Sequence, residues 1–307
     1  MSSYKPIVPE PLTNQVICLT GFSGFIGRHL LDTLVGAGVR PFLIGRPGST
    51  IEPVDGADVA ARWDSPADLA KQLAELADPV LLNIAGYFVS RHMPADIAPL
   101  ISGNLEFPTQ IFEALMLSGH SRIINVGTSW EYSDRGAAEP ANLYAQLKAA
   151  NAQTLEWYAR QSPIQGINLK LNDTYGGDDT RPKLMPLIKK SWIAGRPAKL
   201  RYWAQQINFL HITDVIEGLL AAALHTSDVA ANTTETAFLL SNETIKLGLL
   251  TDLLCDEIAP GLDITFENIA TEDPKLRGVW DEAPRLPNWS PRIKIAEGMA
   301  DYFGMDL

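Results

Sequence analysis

Tyr144 and Lys148 stand four residues apart in a stretch of helical period, so their side chains project from one face. A phenol with a pKa of about 10 is a weak acid–base group at neutral pH, and a neighbouring ammonium lowers that value toward the working range. The spacing alone also suits a tyrosine lying on the core beside a snorkelling lysine. Context comes from upstream, where the apolar run Ile123–Val126 ends in Gly127, Thr128 and Ser129. Ligands of an open parallel sheet bind beyond the carboxyl ends of its strands, where the Thr128 hydroxyl would polarise a substrate carbonyl for hydride attack. Ser129 either shares or takes that role, the alternative for both being a turn that caps its own backbone.

A hydride chemistry needs a carrier, and the segment Gly21-Phe22-Ser23-Gly24-Phe25-Ile26-Gly27 offers a place for one. It lies between an apolar run and an amphipathic helix. Gly21 permits a tight turn, Gly24 lets the backbone approach a pyrophosphate, and Gly27 lets the helix pack closely on the sheet. The helix N-terminus then faces the phosphates. The second strand runs into Gly45-Arg46-Pro47-Gly48, with no carboxylate to accept from a ribose 2′-hydroxyl. Arg46 suits a 2′-phosphate, which favours NADP(H); as a solvated charge stacking on adenine it would suit NAD(H) equally. Asp64, after the third strand, is expected either to bond the adenine amine or to cap the next helix.

These groups require a scaffold, and the first half of the chain alternates short aliphatic runs with helical periods, as βαβ units do. The fold class is α/β: a Rossmann-type doubly wound parallel sheet with a smaller C-terminal substrate-binding portion. Strands are expected at 16–20, 41–44, 59–63, 80–84, 122–126 and 167–171, and helices at 26–35, 66–76, 97–117 and 143–160. Further on, a helix follows Thr213, a strand lies near 238–240 and a helix near 247–258. Residues 1–175 read as the nucleotide-binding domain, with 1–14 as an extended tail. Residues 176–307 read mainly as the substrate portion, interleaved with segments returning to the first domain. Residues 282–291 read as an ordered loop before a last helix.

With 307 residues, 46% hydrophobic and 20% charged, the chain has material for a large core. A net charge of −11 works against nucleic acid and anionic membranes as partners. No apolar run is long enough to span a bilayer and no leader pattern opens the sequence, so a cytoplasmic location is expected. Cys18 and Cys255 suggest neither a disulfide framework nor a zinc site, and the five histidines show no ligand spacing. No metal is expected.

TGFSGFIG from Thr20, the Asn83-Ile84-Ala85-Gly86 segment, Asn104 in a long helix, TSWEY from Thr128 and YAQLK from Tyr144 resemble the NAD-dependent epimerase/dehydratase family of extended short-chain dehydrogenase/reductases, over nearly the whole chain. More narrowly, GTSWEY, NLYAQLK, LNDTYGGDDTRPKLMPLI and QQINFLHITDVIEG are similar to nucleotide-sugar 4-keto reductases and epimerases of the CDP-paratose and CDP-abequose synthase type. The resemblance implies that Gly21–Ile44 grip the cofactor, that Ala85, Gly86 and Asn104 border it, and that Lys148 holds its ribose. It implies a chain after Tyr175 that closes over a nucleoside diphosphate sugar, with Ser129, Asp173, Arg181 and Lys183 as substrate contacts. For Arg181 and Lys183 the other reading is a solvated loop pair.

Three departures stand out. Asp173 occupies a place where many relatives carry Asn. Gln205-Gln206-Ile207-Asn208-Phe209 lacks the arginine of the Q-x-R-D-F-type motif, which removes one expected pyrophosphate contact. Ser129-Trp130 replace the Asp-Glu pair of the dehydratases, so dehydration is disfavoured.

The expected reaction is reduction of a 4-keto sugar, with Tyr144 giving a proton to the developing alkoxide and Thr128 donating a hydrogen bond. An NAD-dependent 4-epimerase would use the same residues. An NADPH-dependent ketone reductase similar to the dihydroflavonol type shares the Tyr–Lys pair, and a redox-sensing regulator that binds NADP(H) without turnover would not need all three groups. A homodimer is expected through the helices at 97–117 and 143–160, with Phe107, Phe112, Leu115 and Trp157 as its apolar face or as core.

Overall fold

The computed structural model describes residues 3–270 and 276–305; residues 1, 2, 306 and 307 of the expected tail and substrate portion lie outside them, as do 271–275. The strands are β1 (Ile17–Thr20), β2 (Phe42–Ile44), β3 (Asp58–Val59), β4 (Val80–Asn83), β5 (Arg122–Thr128), β6 (Gln165–Leu171), β7 (Asp173–Tyr175), β8 (Ala198–Tyr202), β9 (Gln206–His211), β10 (Thr233–Leu239), β11 (Thr244–Lys246) and β12 (Ile264–Asn268). The helices are α1 (Phe25–Gly36), α2 (Pro66–Ala74), α3 (Ile97–Ile101), α4 (Phe107–Ser118), α5 (Leu143–Gln161), α6 (Leu184–Ile193), α7 (Ile212–His225), α8 (Leu247–Leu253) and α9 (Ile295–Phe303).

Seven strands form one parallel sheet in the order β10-β6-β5-β4-β1-β2-β3. Every residue of β1 and β4 is buried, as a sheet covered on both faces demands. Leu30 and Leu34 of α1 pack with Val215 and Leu219 of α7 on one face. Leu69 of α2, Ile111 and Phe112 of α4, and Leu155 of α5 pack on the other. The chain runs outward from β1 through β2 and β3, then crosses back to β4 and runs the other way. At that reversal the loops after β1 and β4 part, leaving the crevice in which doubly wound sheets bind ligands. A three-stranded sheet (β11-β9-β7) and the β8–β12 pair lie outside this sheet, and a core built on Tyr175, Phe209, Leu250 and Met299 joins them to α6, α8 and α9. β10 returns to the central sheet beside β6.

Several expected elements change on inspection. The third strand, read as 59–63, pairs only at Asp58–Val59, because beyond Ala60 the Ala61 N–H and carbonyl are taken by the Gln72 side chain of α2. The helix read as 97–117 carries a π-helical turn at Ser102–Glu106, where the Asn104 amide turns back to the Leu100 and Tyr87 carbonyls. The helix near 247–258 likewise ends in a π-helical turn at Leu254–Ile258. The tail is not extended throughout: Glu10–Asn14 form a 3-10 turn that buries Leu12. Phe107, Phe112 and Leu115 are core residues, at most 6% exposed, and so form no dimer face. Cys18 is buried, Cys255 is partly buried, and both are free thiols. No helix among the described residues is long and apolar enough to cross a membrane.

Candidate active site

The glycine loop shapes the crevice. Gly21 has φ +70°, and a Cβ on it would lie 2.6 Å from the Ala85 nitrogen in the loop after β4. A Cβ on Gly27 would lie 2.1 Å from the Gly21 carbonyl oxygen, so helix and turn touch backbone to backbone. Gly24, the N-cap of α1, would meet only the Gly21 carbonyl oxygen within 4 Å, and no side chain caps the helix. The first-turn amides of Phe25, Ile26 and Gly27 are thus left for a phosphate, and the residues present fit a dinucleotide. Arg46 is exposed beyond β2. Asp64 is exposed and pairs with Arg62 at 3.1 Å; the cap of α2 is Ser65, whose side chain accepts from the Asp68 N–H, so the capping role considered for Asp64 falls to its neighbour.

Thr128, Tyr144 and Lys148 line one cavity of about 150 Å³ together with Ile26, Gly86, Phe88, Asp173, Arg181 and Lys183. β5 delivers Thr128 at its carboxyl end, and α5 delivers the other two on one face, its N-cap Asn142 accepting from the Ala145 N–H. The Thr128 Oγ1 accepts from the Trp130 N–H at 3.3 Å, which leaves its own proton for an acceptor in the cavity. Lys148 is 3% exposed, and its Nζ donates to the carbonyls of Ala85 at 3.2 Å and Val126 at 2.9 Å. One of its three protons remains for a ligand hydroxyl. Asn104 does not face the cavity directly: its amide accepts from the Tyr87 N–H and donates to the Tyr87 carbonyl, which fixes the turn at Gly86.

The electrostatics differ from expectation at one point. Burial holds the Tyr144 phenol above its ordinary value, and Glu131 and Asp173 add to the shift while Arg181 opposes it. Tyr144 is therefore held as the neutral acid. The Lys148 ammonium is turned to the Ala85 and Val126 carbonyls. Lys148 itself is pushed down to about 8, by burial first, with Glu131 raising it and Lys170 lowering it. Asp173 is raised by burial, and Lys183 and Arg181 oppose that.

A cavity of about 370 Å³ adjoins the first and shares Phe88, Trp130, Asp173 and Lys183 with it. Ser129 lines this larger space, not the one holding Tyr144. Its walls are aromatic, with Tyr132, Phe238 and Trp280 mutually packed edge to face or tilted. The amides of Asn172, Gln205, Gln206 and Asn208 supply its polar lining, and Arg277 its added cation. The Gln205 side chain bonds both the N–H and the carbonyl of Arg277, and the Arg277 guanidinium donates to the Tyr132 and Glu139 carbonyls, locking the wall to the loop after β5.

The three carboxylates between residues 173 and 179 separate into three fates. Asp173 faces both cavities, Asp178 is exposed 3.5 Å from Arg28 and His29, and Asp179 is buried against Arg181 at 2.7 Å. Arg181 lies over the Phe25 ring at 4.0 Å, at the start of α1. Lys183 lies over Phe88 at 4.7 Å. Arg201 pairs with Glu267 on the surface and lines neither cavity, and Arg285 donates to the Leu240 and Ser241 carbonyls. A larger cleft of about 1010 Å³, between α1, α7 and the N-terminal segment, shares no lining residue with the Tyr144 cavity.

Two features escaped sequence reasoning. Thr20, Asn83, Asn125 and Asn168 align across four adjacent strands. Thr20 donates to Asn83 and Asn83 to Asn125, while Asn125 donates to both Asn168 and Asn151; Thr20 in turn accepts from the Ala85 N–H. This row ties the sheet to the turn beside Lys148. The other is a buried Glu131–Lys170 pair behind Thr128, whose sequence signal was the T-x-x-E capping pattern of Thr128 and Glu131.

The model of the NAD dependent epimerase/dehydratase family matches residues 17–234, from β1 into β10. The chain belongs to that family. It is therefore an enzyme of the extended short-chain dehydrogenase/reductase type, which sets the non-catalytic sensor aside. It is 29% identical to a CDP-abequose synthase of Yersinia pseudotuberculosis over 232 residues, 75% of this chain and 81% of that one. A CDP-abequose synthase of Salmonella typhimurium is 22% identical over 294 residues, 94% of this chain and 97% of that one. Among solved structures, a UDP-glucuronic acid 4-epimerase from Bacillus cereus in complex with UDP-glucuronic acid and NAD superposes with a TM-score of 0.76 at 20% identity, covering 94% of this chain and 98% of its own. A UDP-glucose 4-epimerase from Thermotoga maritima with UDP-glucose gives 0.73 at 18% identity, over 94% and 98%. At those identities the likeness is one of fold.

Proposed function

We propose that the protein reduces a 4-keto nucleotide sugar, with CDP as the nucleotide moiety and NADP(H) as the hydride carrier. The observation that carries this reading is the convergence of Thr128, Tyr144 and Lys148 on one small cavity that opens into a larger, aromatic-walled one. The bound nicotinamide supplies the hydride. Tyr144, held protonated, gives its proton to the carbonyl oxygen as that oxygen gains charge, so ketone becomes alcohol. The Thr128 hydroxyl donates to the same oxygen, and Lys148 offers its remaining N–H to a ribose hydroxyl. The resemblance to 4-keto reductases of the CDP-abequose synthase type favours reduction, and the relatives named CDP-abequose synthases agree with a CDP-linked sugar.

Arg46, exposed where a carboxylate would select a free 2′-hydroxyl, supports NADP(H). Phe22, Ser23 and the three loop glycines hold the pyrophosphate, Ala85 and Gly86 border the nicotinamide end, and Asp64 stays near the adenine. Ser129, Asp173, Arg181 and Lys183 contact the sugar and its phosphate. Residues 1–175 serve mainly the cofactor and 176–307 mainly the substrate, and a cytoplasmic homodimer pairs through Ile97, Ile101 and Trp157, which are 42%, 43% and 52% exposed on α3 and α5. The NAD and UDP-sugar complexes of the similarly folded epimerases support a second reading, 4-epimerisation with retained NAD. The test is a turnover assay with NADPH and NADH against CDP- and UDP-linked 4-keto sugars, with analysis of nucleotide released on denaturation. Consumption of NADPH on a CDP-linked ketone supports the first reading; copurified NAD with interconversion of 4-epimers supports the second.

A further inference from the structure

Glu131 and Lys170 form an ion pair directly behind the reacting groups, and no step above uses it. They are 2% and 1% exposed, with Nζ 2.5 Å from Oε2. The other carboxylate oxygen accepts the Thr128 N–H at 2.8 Å. Gly127 admits the pair, since a Cβ there would lie 2.4 Å from Glu131 Oε1 and 2.9 Å from Lys170 Nζ. Consecutive residues at the end of β5 are thus built around one carboxylate: a glycine that makes room for it and a threonine whose backbone it holds.

Stability gives little reason for charge at this place. Removing two ions from water costs about as much as their attraction returns, and well-packed apolar residues of similar volume usually serve as well or better. Position gives a better reason. Asp173, Arg181 and Lys183 line the cavity with Tyr144 and Lys148; Glu131 and Arg181 act most strongly on Tyr144, and Glu131 and Lys170 act on Lys148. Glu131 alone acts on both, and at Lys148 it outweighs its partner. Lys170 enters from β6, one strand away, and holds the carboxylate in place.

We infer that Glu131, anchored by Lys170, is a positioning residue of the hydride-transfer site: one oxygen fixes the Thr128 backbone so that its hydroxyl faces the cavity, and its charge is the fixed counter-charge of Lys148. This inference rests on the reductase reading, in which Thr128 donates to the carbonyl oxygen and Lys148 acts as a cation.

The test uses a charge-free pair, Glu131→Leu with Lys170→Met, which removes both ions without stranding either. Three readouts are taken: thermal unfolding, titration of Lys148 by lysine side-chain NMR of the cofactor-free protein assigned with Lys148→Met, and kcat against KM for the ketone. The expected result is a folded protein in which Lys148 titrates at least about half a pH unit lower than in the wild type. Turnover is expected to fall about tenfold or more in kcat with KM little changed. Should the double variant not fold, Glu131→Gln, which keeps an acceptor for the Thr128 N–H, supplies the same titration with the same expectation. An unchanged Lys148 titration overturns the proposal, because a merely structural pair would leave it where it is. If the wild type reduces no 4-keto sugar, the reductase reading fails on that result alone, while the Lys148 titration still decides the role of the pair.

Discussion

The cofactor side and the substrate side of the crevice are built on different principles. On the cofactor side the contacts are backbone: Gly21 against Ala85, Gly27 against Gly21, and a helix N-terminus that no side chain caps. Across the crevice the walls are side chains drawn from distant segments, with Trp280 packed on Tyr132 and Phe238, and Gln205 clasping Arg277. Backbone contacts tolerate no added atoms, whereas side-chain walls can be changed one residue at a time. On the proposed reading, the first side is fixed for one class of ligand and the second sets specificity.

The comparison breaks most readily at Gly27. Gly27→Val sets a Cβ about 2.1 Å from the Gly21 carbonyl oxygen, so the turn must move. We expect loss of dinucleotide binding in a fluorescence titration and a destabilisation of roughly 3 kcal/mol by denaturant unfolding. A variant that binds NADPH normally would show that the loop is not the cradle. A smaller effect is expected at Arg46, which is exposed and outside the backbone cradle. Arg46→Ala should weaken NADPH binding roughly ten- to a hundred-fold while leaving NADH unchanged, as loss of a charged hydrogen bond does; an equal effect on both would make it a stacking residue. On the substrate side, Lys183→Met should raise KM about tenfold with kcat less affected, because Lys183 supplies one of the few cations facing both cavities. A fall in kcat alone would move Lys183 from binding to chemistry.

The same division explains what the sequence revealed. The glycine loop was legible because its parts are consecutive, and Thr128, Tyr144 and Lys148 because strand end and helix face are local properties. The asparagine row was not legible, since Asn83, Asn125 and Asn168 meet only through the register of three strands. Arg277 comes to Tyr132 from 145 residues away, and nothing local to either announces it. The end of β3 depended on the Gln72 side chain, which takes the Ala61 N–H and carbonyl and which the strand's own residues did not encode. The raised Tyr144 phenol was not legible for a related reason: i, i+4 spacing fixes the common face but not the burial that dominates its titration.

The central claim is that Tyr144 is the proton donor of a carbonyl reduction, and it is tested most directly by single-turnover reduction of a CDP-linked 4-keto sugar by wild type and Tyr144→Phe, with NADPH affinity measured in parallel. The account predicts a rate lower by roughly a hundred- to ten-thousand-fold with NADPH binding unchanged. Full turnover by Tyr144→Phe would contradict it.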